Sequence, residues 1–392
     1  MDIRRIPLWE GRNATYMSND IINVVIEDQG EVCLELSNTC ISGARVNPLS
    51  LPYFRGIGSG VLSDPNGEWY QMKQSLYQAG GSYFTFPYSS EDHITSNNTY
   101  WTVRKYGTEE NYGGVWRLSE MKSREEGNRY RLEKVDLVIP GHPVLYTAIR
   151  ITNTGDETLY ASPSHSVMFG SPFFESGCFI DTNARNFSAY HTAVRELATN
   201  RFLSGPVFDE LKKAPLVKGG FADASYVPAP TGTYDYLLGK LPERAKTGWI
   251  SIINPRLQQL YISFTPADMI DSFPNIFLVE NYLGRMDTPW ALYDGATSQV
   301  YSLSVGMNYG PKHTKNFSLE KGRSKTLYFA DAFLGYDNPR MNLGIYTVEF
   351  IDGGILLKRT KSTIFVPADH NFEAIAAVSK NLFQNGQESV SP

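Results

Sequence analysis

An all-β, antiparallel architecture with few short helices is the fold class this sequence predicts, on three observations. Aromatic residues make up 13% of the 392, dominated by 24 Tyr and 21 Phe, and such side chains favour the pleated, half-buried surface of a sheet. Glycine (33) and proline (22) are plentiful, as tight turns between many strands require. Period-two alternation recurs along the chain, whereas the 3.6-residue period is convincing in only two places.

Taken in order, Asp64-Pro65-Asn66-Gly67 has the composition of a turn. Tyr130 and Leu132 lie on one phase, and Val135, Leu137 and Ile139 on the other; a one-residue slip of this kind predicts a β-bulge. Leu145, Thr147, Ile149 and Ile151 then alternate with Tyr146, Ala148 and Arg150 up to Asn153-Thr154-Gly155-Asp156, a hairpin turn. Tyr346, Val348 and Phe350 alternate up to Asp352-Gly353-Gly354, and Ile355 and Leu357 resume the pattern beyond it, a second hairpin. The helical stretches are Thr192 to Phe202, which is short, and Phe372 to Phe383, which is amphipathic and stops near Gly386. Ser204 to Gly232 is rich in Gly, Pro and Lys with little alternation. It is expected to be a long loop insertion, because strand patterns continue in kind on both sides. A single domain over residues 1–386 with a disordered tail at 387–392 follows.

Composition narrows the partners. The net charge of −5 is spread without any run of Lys and Arg, which leaves no electrostatic footprint for nucleic acid or an anionic membrane. No apolar run approaches the length of a bilayer span, and no apolar segment follows the N-terminal arginines; a cytoplasmic protein with a neutral small-molecule ligand is expected. Cys33, Cys40 and Cys178 are an odd, sparse set without zinc-site spacing, so they are expected to be reduced and structural. Walker loop, nucleophile elbow and His-Glu-x-x-His motif are all missing.

One passage carries more. Gln78-Ala79-Gly80-Gly81-Ser82-Tyr83-Phe84-Thr85-Phe86-Pro87, with His93 and Trp101 beyond it, reads as a glycine turn feeding an aromatic strand that delivers a histidine. Gly43-Ala44-Arg45-Val46 stands upstream, and Ala148 to Asp156 and Ser164-His165-Ser166-Val167-Met168-Phe169 downstream, followed by Gly248-Trp249-Ile250-Ser251, Phe277-Leu278-Val279-Glu280 and Trp290-Ala291-Leu292-Tyr293-Asp294-Gly295. In this order, from about Asn23 to Asp331, the segments resemble the aldose 1-epimerase (galactose mutarotase-like) superfamily.

The resemblance implies a galactose mutarotase-like β-supersandwich, two large antiparallel sheets packed face to face, with the sugar site on the concave face. It implies an isomerase of free sugars: a carboxylate removes the anomeric proton while an imidazole, titrating near ~6.5 when unperturbed, protonates the ring oxygen. On this reading His165 is the acid. The base is Asp294, where many members carry Glu before Pro, or Glu280. His93, Arg45, Trp101, Trp249 and Trp290 would contact the substrate, and neither metal nor organic cofactor is required. His93 departs from the family in preceding Ile94 where many members have Gly.

Structural readings compete at each position. His165 can be a satisfied or surface residue, His93 a loop tip, Glu280 a strand cap, Asp294-Gly295 a type I′ turn, and the tryptophans core packing. Two further functions are compatible with the same residues: a non-catalytic carbohydrate-binding or sensing protein, and an epimerase or lyase acting beside a sugar carbonyl.

Overall fold

The computed structural model describes residues 1–9, 12–40, 47–50, 80–87, 95–123, 129–190, 199–284, 301–308, 317–337, 340, 343–359 and 361–385. Two large antiparallel sheets dominate. The first has eleven strands in the spatial order Asp2–Trp9, Arg12–Ser18, Ile22–Glu27, Cys33–Asn38, Ser82–Thr85, Ser164–Phe169, Tyr301–Asn308, Asn275–Tyr282, Thr233–Lys240, Arg185–Tyr190 and Val207–Phe208. The second has eight: Phe179–Thr182, Thr247–Asn254, Gln259–Pro266, Ser324–Gly335, Val144–Asn153, Tyr130–Val138, Gly114–Lys122 and Thr102–Glu109.

Between them lies the main core, where Val167, Leu303, Val305 and Leu278 of the larger sheet meet Ile250, Tyr261, Phe329 and Ile149 of the smaller. The smaller sheet is apolar on its back as well. Trp249, Ile262, Phe264 and Tyr146 there form a second core with Ile355, Leu357 and Val366 of a three-stranded sheet and Ile375 and Val378 of the helix Glu373–Asn385. The smaller sheet is thus the middle layer of three.

That layering explains the phase slip around Leu132. The strand Tyr130–Val138 pairs with both neighbours in continuous register, so it contains no bulge. Tyr130 and Leu132 face the main core and Val135 and Leu137 the second, so both phases are apolar. The hairpin at 352–354 forms, as does the C-terminal helix. The turn at 153–156 closes no hairpin, because Leu159–Ala161 beyond it pairs with Phe317–Leu319 and not with Val144–Asn153. The short helix does not reach Phe202: Thr199 bridges Thr233 and Phe202 bridges Leu216 in extended chain, and 191–198 lie outside the described residues. The Ser204 to Gly232 segment carries two-residue strands and places Phe208, Leu211, Ala214, Ala224 and Val227 in the main core. Asp64–Gly67 and the tail at 387–392 lie outside the described residues.

Among the described residues no helix is long and apolar enough to cross a membrane. Cys33 and Cys178 are buried and Cys40 is exposed, all without a disulfide.

Candidate functional site

The strand Ser164–Phe169 has two unlike faces. His165, Val167 and Phe169 point between the sheets, while Ser164, Ser166 and Met168 point outward. His165 Nε2 lies 3.0 Å from Asp331 Oδ1 on the facing sheet, and its ring stacks on Phe329 with centroids 3.9 Å apart. The hydroxyl of Tyr261 donates to the same carboxylate oxygen at 2.6 Å, and Ser82 Oγ to the other at 3.2 Å. Burial opposes the charge on Asp331, but His165 and the hydrogen bonds from His165, Tyr261 and Ser263 outweigh it and hold the carboxyl below its ordinary range. Among the described residues His165 Nδ1 has no hydrogen-bond partner. The group is a dry strut joining the two sheets.

Glu280 also points inward, on the phase of Ile276 and Leu278. Arg201 Nη2 donates to its Oε2 at 2.9 Å, and Asp235 Oδ1 accepts the backbone N–H groups of Arg201 at 2.7 Å and Phe202 at 3.1 Å. Burial pushes the Glu280 carboxyl up to about 8, against the pull of Arg201. Glu280 is level with Leu303, which is level with Phe169. It therefore stands two strands and four residues from His165, about 16 Å at ordinary strand spacing and rise. The structure does not bring this acid and this base together.

Neither described tryptophan of the expected set lies on the outer face. Trp101 is buried in the main core with its Nε1 donating to the Ser96 carbonyl at 2.8 Å. Trp249 belongs to the second core, behind the smaller sheet. His93, Asp294, Trp290 and Arg45 lie outside the described residues.

What the sequence reading missed is the outer face of the larger sheet. The registers lay its side chains in rows: Ser164, Asn308 and Asn275; then Tyr83, Ser166, Gly306 and Phe277; then Met168, Ser304, Val279 and Tyr236; then Ser302, Asn281 and Tyr234. Most are buried, and Tyr236 is half-buried. The hydroxyl of Tyr83 bonds to the Ser166 side chain and that of Tyr236 to Asn308, and the Ser164 and Ser166 hydroxyls lie 3.3 Å apart. The Phe277 ring stacks on Tyr236 at 6.4 Å and lies against Gly306, where a Cβ would come within 2.9 Å of the ring and 1.9 Å of the His165 carbonyl oxygen. Glycine alone fits there.

These five strands carry no carboxylate outward, and no base but Lys240 at the margin. A described carboxylate on this face is Glu35, which is paired with Val25 opposite the core phase of Val24 and Ile26 and accepts a 2.6 Å hydrogen bond from Ser37 Oγ. A legible signal existed: in Ser302-Leu303-Ser304-Val305-Gly306-Met307-Asn308 every second residue is polar or glycine. Among the described residues no group of His, Cys, Asp and Glu could hold a metal ion.

No family model and no curated protein matches the sequence. Solved structures do match in fold. A candidate aldose 1-epimerase from Klebsiella pneumoniae superposes with a TM-score of 0.59 at 12% identity, over 83% of this chain and 80% of that one. A galactose mutarotase-like protein from Clostridium acetobutylicum gives 0.56 at 12% identity, over 86% and 99%. A TPR-domain containing protein from Parabacteroides distasonis gives 0.55 at 11% identity, and this chain, matched over 97% of its length, spans only 56% of that one. The chain has the galactose mutarotase-like fold.

Proposed function

We propose that this protein binds a neutral carbohydrate on the outer face of its larger sheet. The observation that carries the reading is the set of rows just described: hydroxyls and amides of Tyr83, Ser164, Ser166, Asn308 and Asn275 beside the Phe277 and Tyr236 rings. Fixed hydrogen-bonding groups next to aromatic surface suit a polyhydroxylated ring, whose edges are polar and whose faces are C–H. A sheet face without formal charge at its centre suits an uncharged ligand.

Anomer exchange on the same face is the second reading, favoured by the half-buried Glu35 there. Glu35 would serve as base, with His93 or Asp294 completing the acid and base pair; His165 and Glu280 would act only through the fold.

Titration of a panel of neutral mono- and disaccharides by calorimetry or ligand-observed NMR tests the first reading. Saturable binding that weakens in Asn308→Ala and Tyr236→Ala is expected, and no saturable binding by any of them overturns it. Polarimetry on the bound sugars tests the second, which requires acceleration that falls in Glu35→Gln.

A further inference from the structure

A second cleft lies far from that face, where Asp2–Trp9, one edge of the larger sheet, meets Thr102–Glu109, one edge of the smaller. It is five strand spacings, about 24 Å, from Ser164–Phe169, and encloses about 520 Å³. Its floor is an ion pair. Arg5 grips Asp28 with both terminal nitrogens, one of them 2.7 Å from Oδ1, and the same nitrogen reaches Thr15 Oγ1 at 2.7 Å. Asp28 is neutralised from behind as well, by Arg117 at 3.7 Å. Its charge is spent inside the protein.

The rim is cationic. Arg104 has Glu120 only at 3.9 Å, and Lys105 stands beside it. Three cations thus line the cleft against one carboxylate, on a chain whose net charge is −5. The walls are aromatic and open, with Tyr100 55% and Tyr106 46% exposed. They are also held: Tyr100 donates to Asp28 Oδ2 at 3.4 Å, and Trp116 Nε1 donates to the Thr108 carbonyl at 3.1 Å. The Trp116 indole lies over Gly107, where a Cβ would sit 3.3 Å from the ring. Held side chains lose little freedom when a ligand arrives.

We infer that this cleft is a second binding site, for an acidic saccharide of the uronic acid class. The Arg104 guanidinium, with Lys105 beside it, matches a carboxylate in geometry as well as charge, and the tyrosine and tryptophan rings offer a surface for the C–H face of the sugar. The choice of a saccharide over another organic acid rests on the carbohydrate reading above; the anionic character rests on the cleft alone.

D-Glucuronate, D-glucose and acetate are titrated against the intact chain, followed by tryptophan fluorescence and saturation-transfer NMR. Saturable glucuronate binding is expected, at least about tenfold tighter than either glucose or acetate, as one charge-assisted contact or one ring stack can supply. Arg104→Ala and Tyr106→Ala, both at exposed side chains, should each weaken it about tenfold with the melting temperature unchanged, while Tyr236→Phe leaves it unaltered. Absence of saturable glucuronate binding overturns the inference, as does insensitivity to both variants, or equal binding of acetate, which would mark an adventitious anion only. Neutral sugars failing at the outer face while glucuronate still binds would break the proposed function and leave this site standing; the reverse result would do the opposite.

Discussion

The two faces of the eleven-stranded sheet are built from the same strands and do opposite things with polarity. Inward, the acids and bases that stand out in the sequence are buried and paired: His165 with Asp331, and Glu280 with Arg201 beside Asp235. Outward, the centre of the sheet presents hydroxyls, amides and rings without a carboxylate. Ionised groups between two sheets are tolerated only when paired, and there they hold strands in place. Neutral groups on the outer surface can exchange water for a ligand at little cost. Chemically conspicuous residues and ligand-facing residues are therefore neighbours in sequence here, one residue and one face apart.

The sharpest way to break this division is at Asp331. Asp331→Ala removes the acceptor of His165, Tyr261 and Ser82 together, and the cost of orphaning buried partners is about 3–5 kcal/mol. Urea denaturation should show that loss, and a change under 1 kcal/mol would mean that the strut is not structural. Next is Glu280. Its folded-state value of about 8 stands above the ordinary 4.5, so its contribution to stability is complete below about 4.5 and is lost as pH rises toward 8. The slope is at most about 1.4 kcal/mol per pH unit. Asp181, raised to about 7 by burial, adds a parallel decline that persists in the variant. Denaturation at pH 5, 6.5 and 8 should therefore show a shallower fall in Glu280→Gln than in the parent; identical slopes would show that Glu280 does not titrate there.

How much of this the sequence discloses depends on whether a phase or a chemistry was being read. Turn chemistry at Asp352-Gly353-Gly354 located a hairpin, and the Ala374, Ile375 and Val378 spacing located the helix. The strand around Leu132 misled, because a middle layer is apolar on both phases and a switch of core imitates a bulge. At the site, the phase was legible and was outweighed: His165 shares its parity with Val167 and Phe169, which assigns it to the core, while Ser164 and Ser166 have the other parity. Glu280 had no such signal, since Phe277 and Val279 on its opposite phase are apolar too. What no local pattern could supply is register, which sets Asn308 beside Ser164 across 144 positions of chain.

Smaller effects sharpen the outward side. Tyr236→Phe removes one hydroxyl, bonded to Asn308, and leaves the ring stacked on Phe277. A neutral hydrogen bond is worth about 1 kcal/mol, so affinity for a bound neutral sugar should fall about fivefold while the denaturation midpoint barely moves. A larger loss of stability than of affinity would place Tyr236 among the structural residues instead.

The smallest expected effect is the most discriminating. Burial pushes Tyr236 up to about 12, and the other groups in the central rows are hydroxyls, amides and apolar side chains, so affinity for a neutral sugar should stay within about twofold from pH 5 to 8. Stability falls over the same interval through Glu280 on the other face, so the two measurements must diverge if the faces are independent. Polarimetry gives the counterpart for turnover. A rate that bends near ~6.5 and is flattened by His93→Asn would bring an imidazole to the outer face, and the pairing of that imidazole with Glu35 or with Asp294 could then be read from which carboxamide variant removes the other limb of the profile.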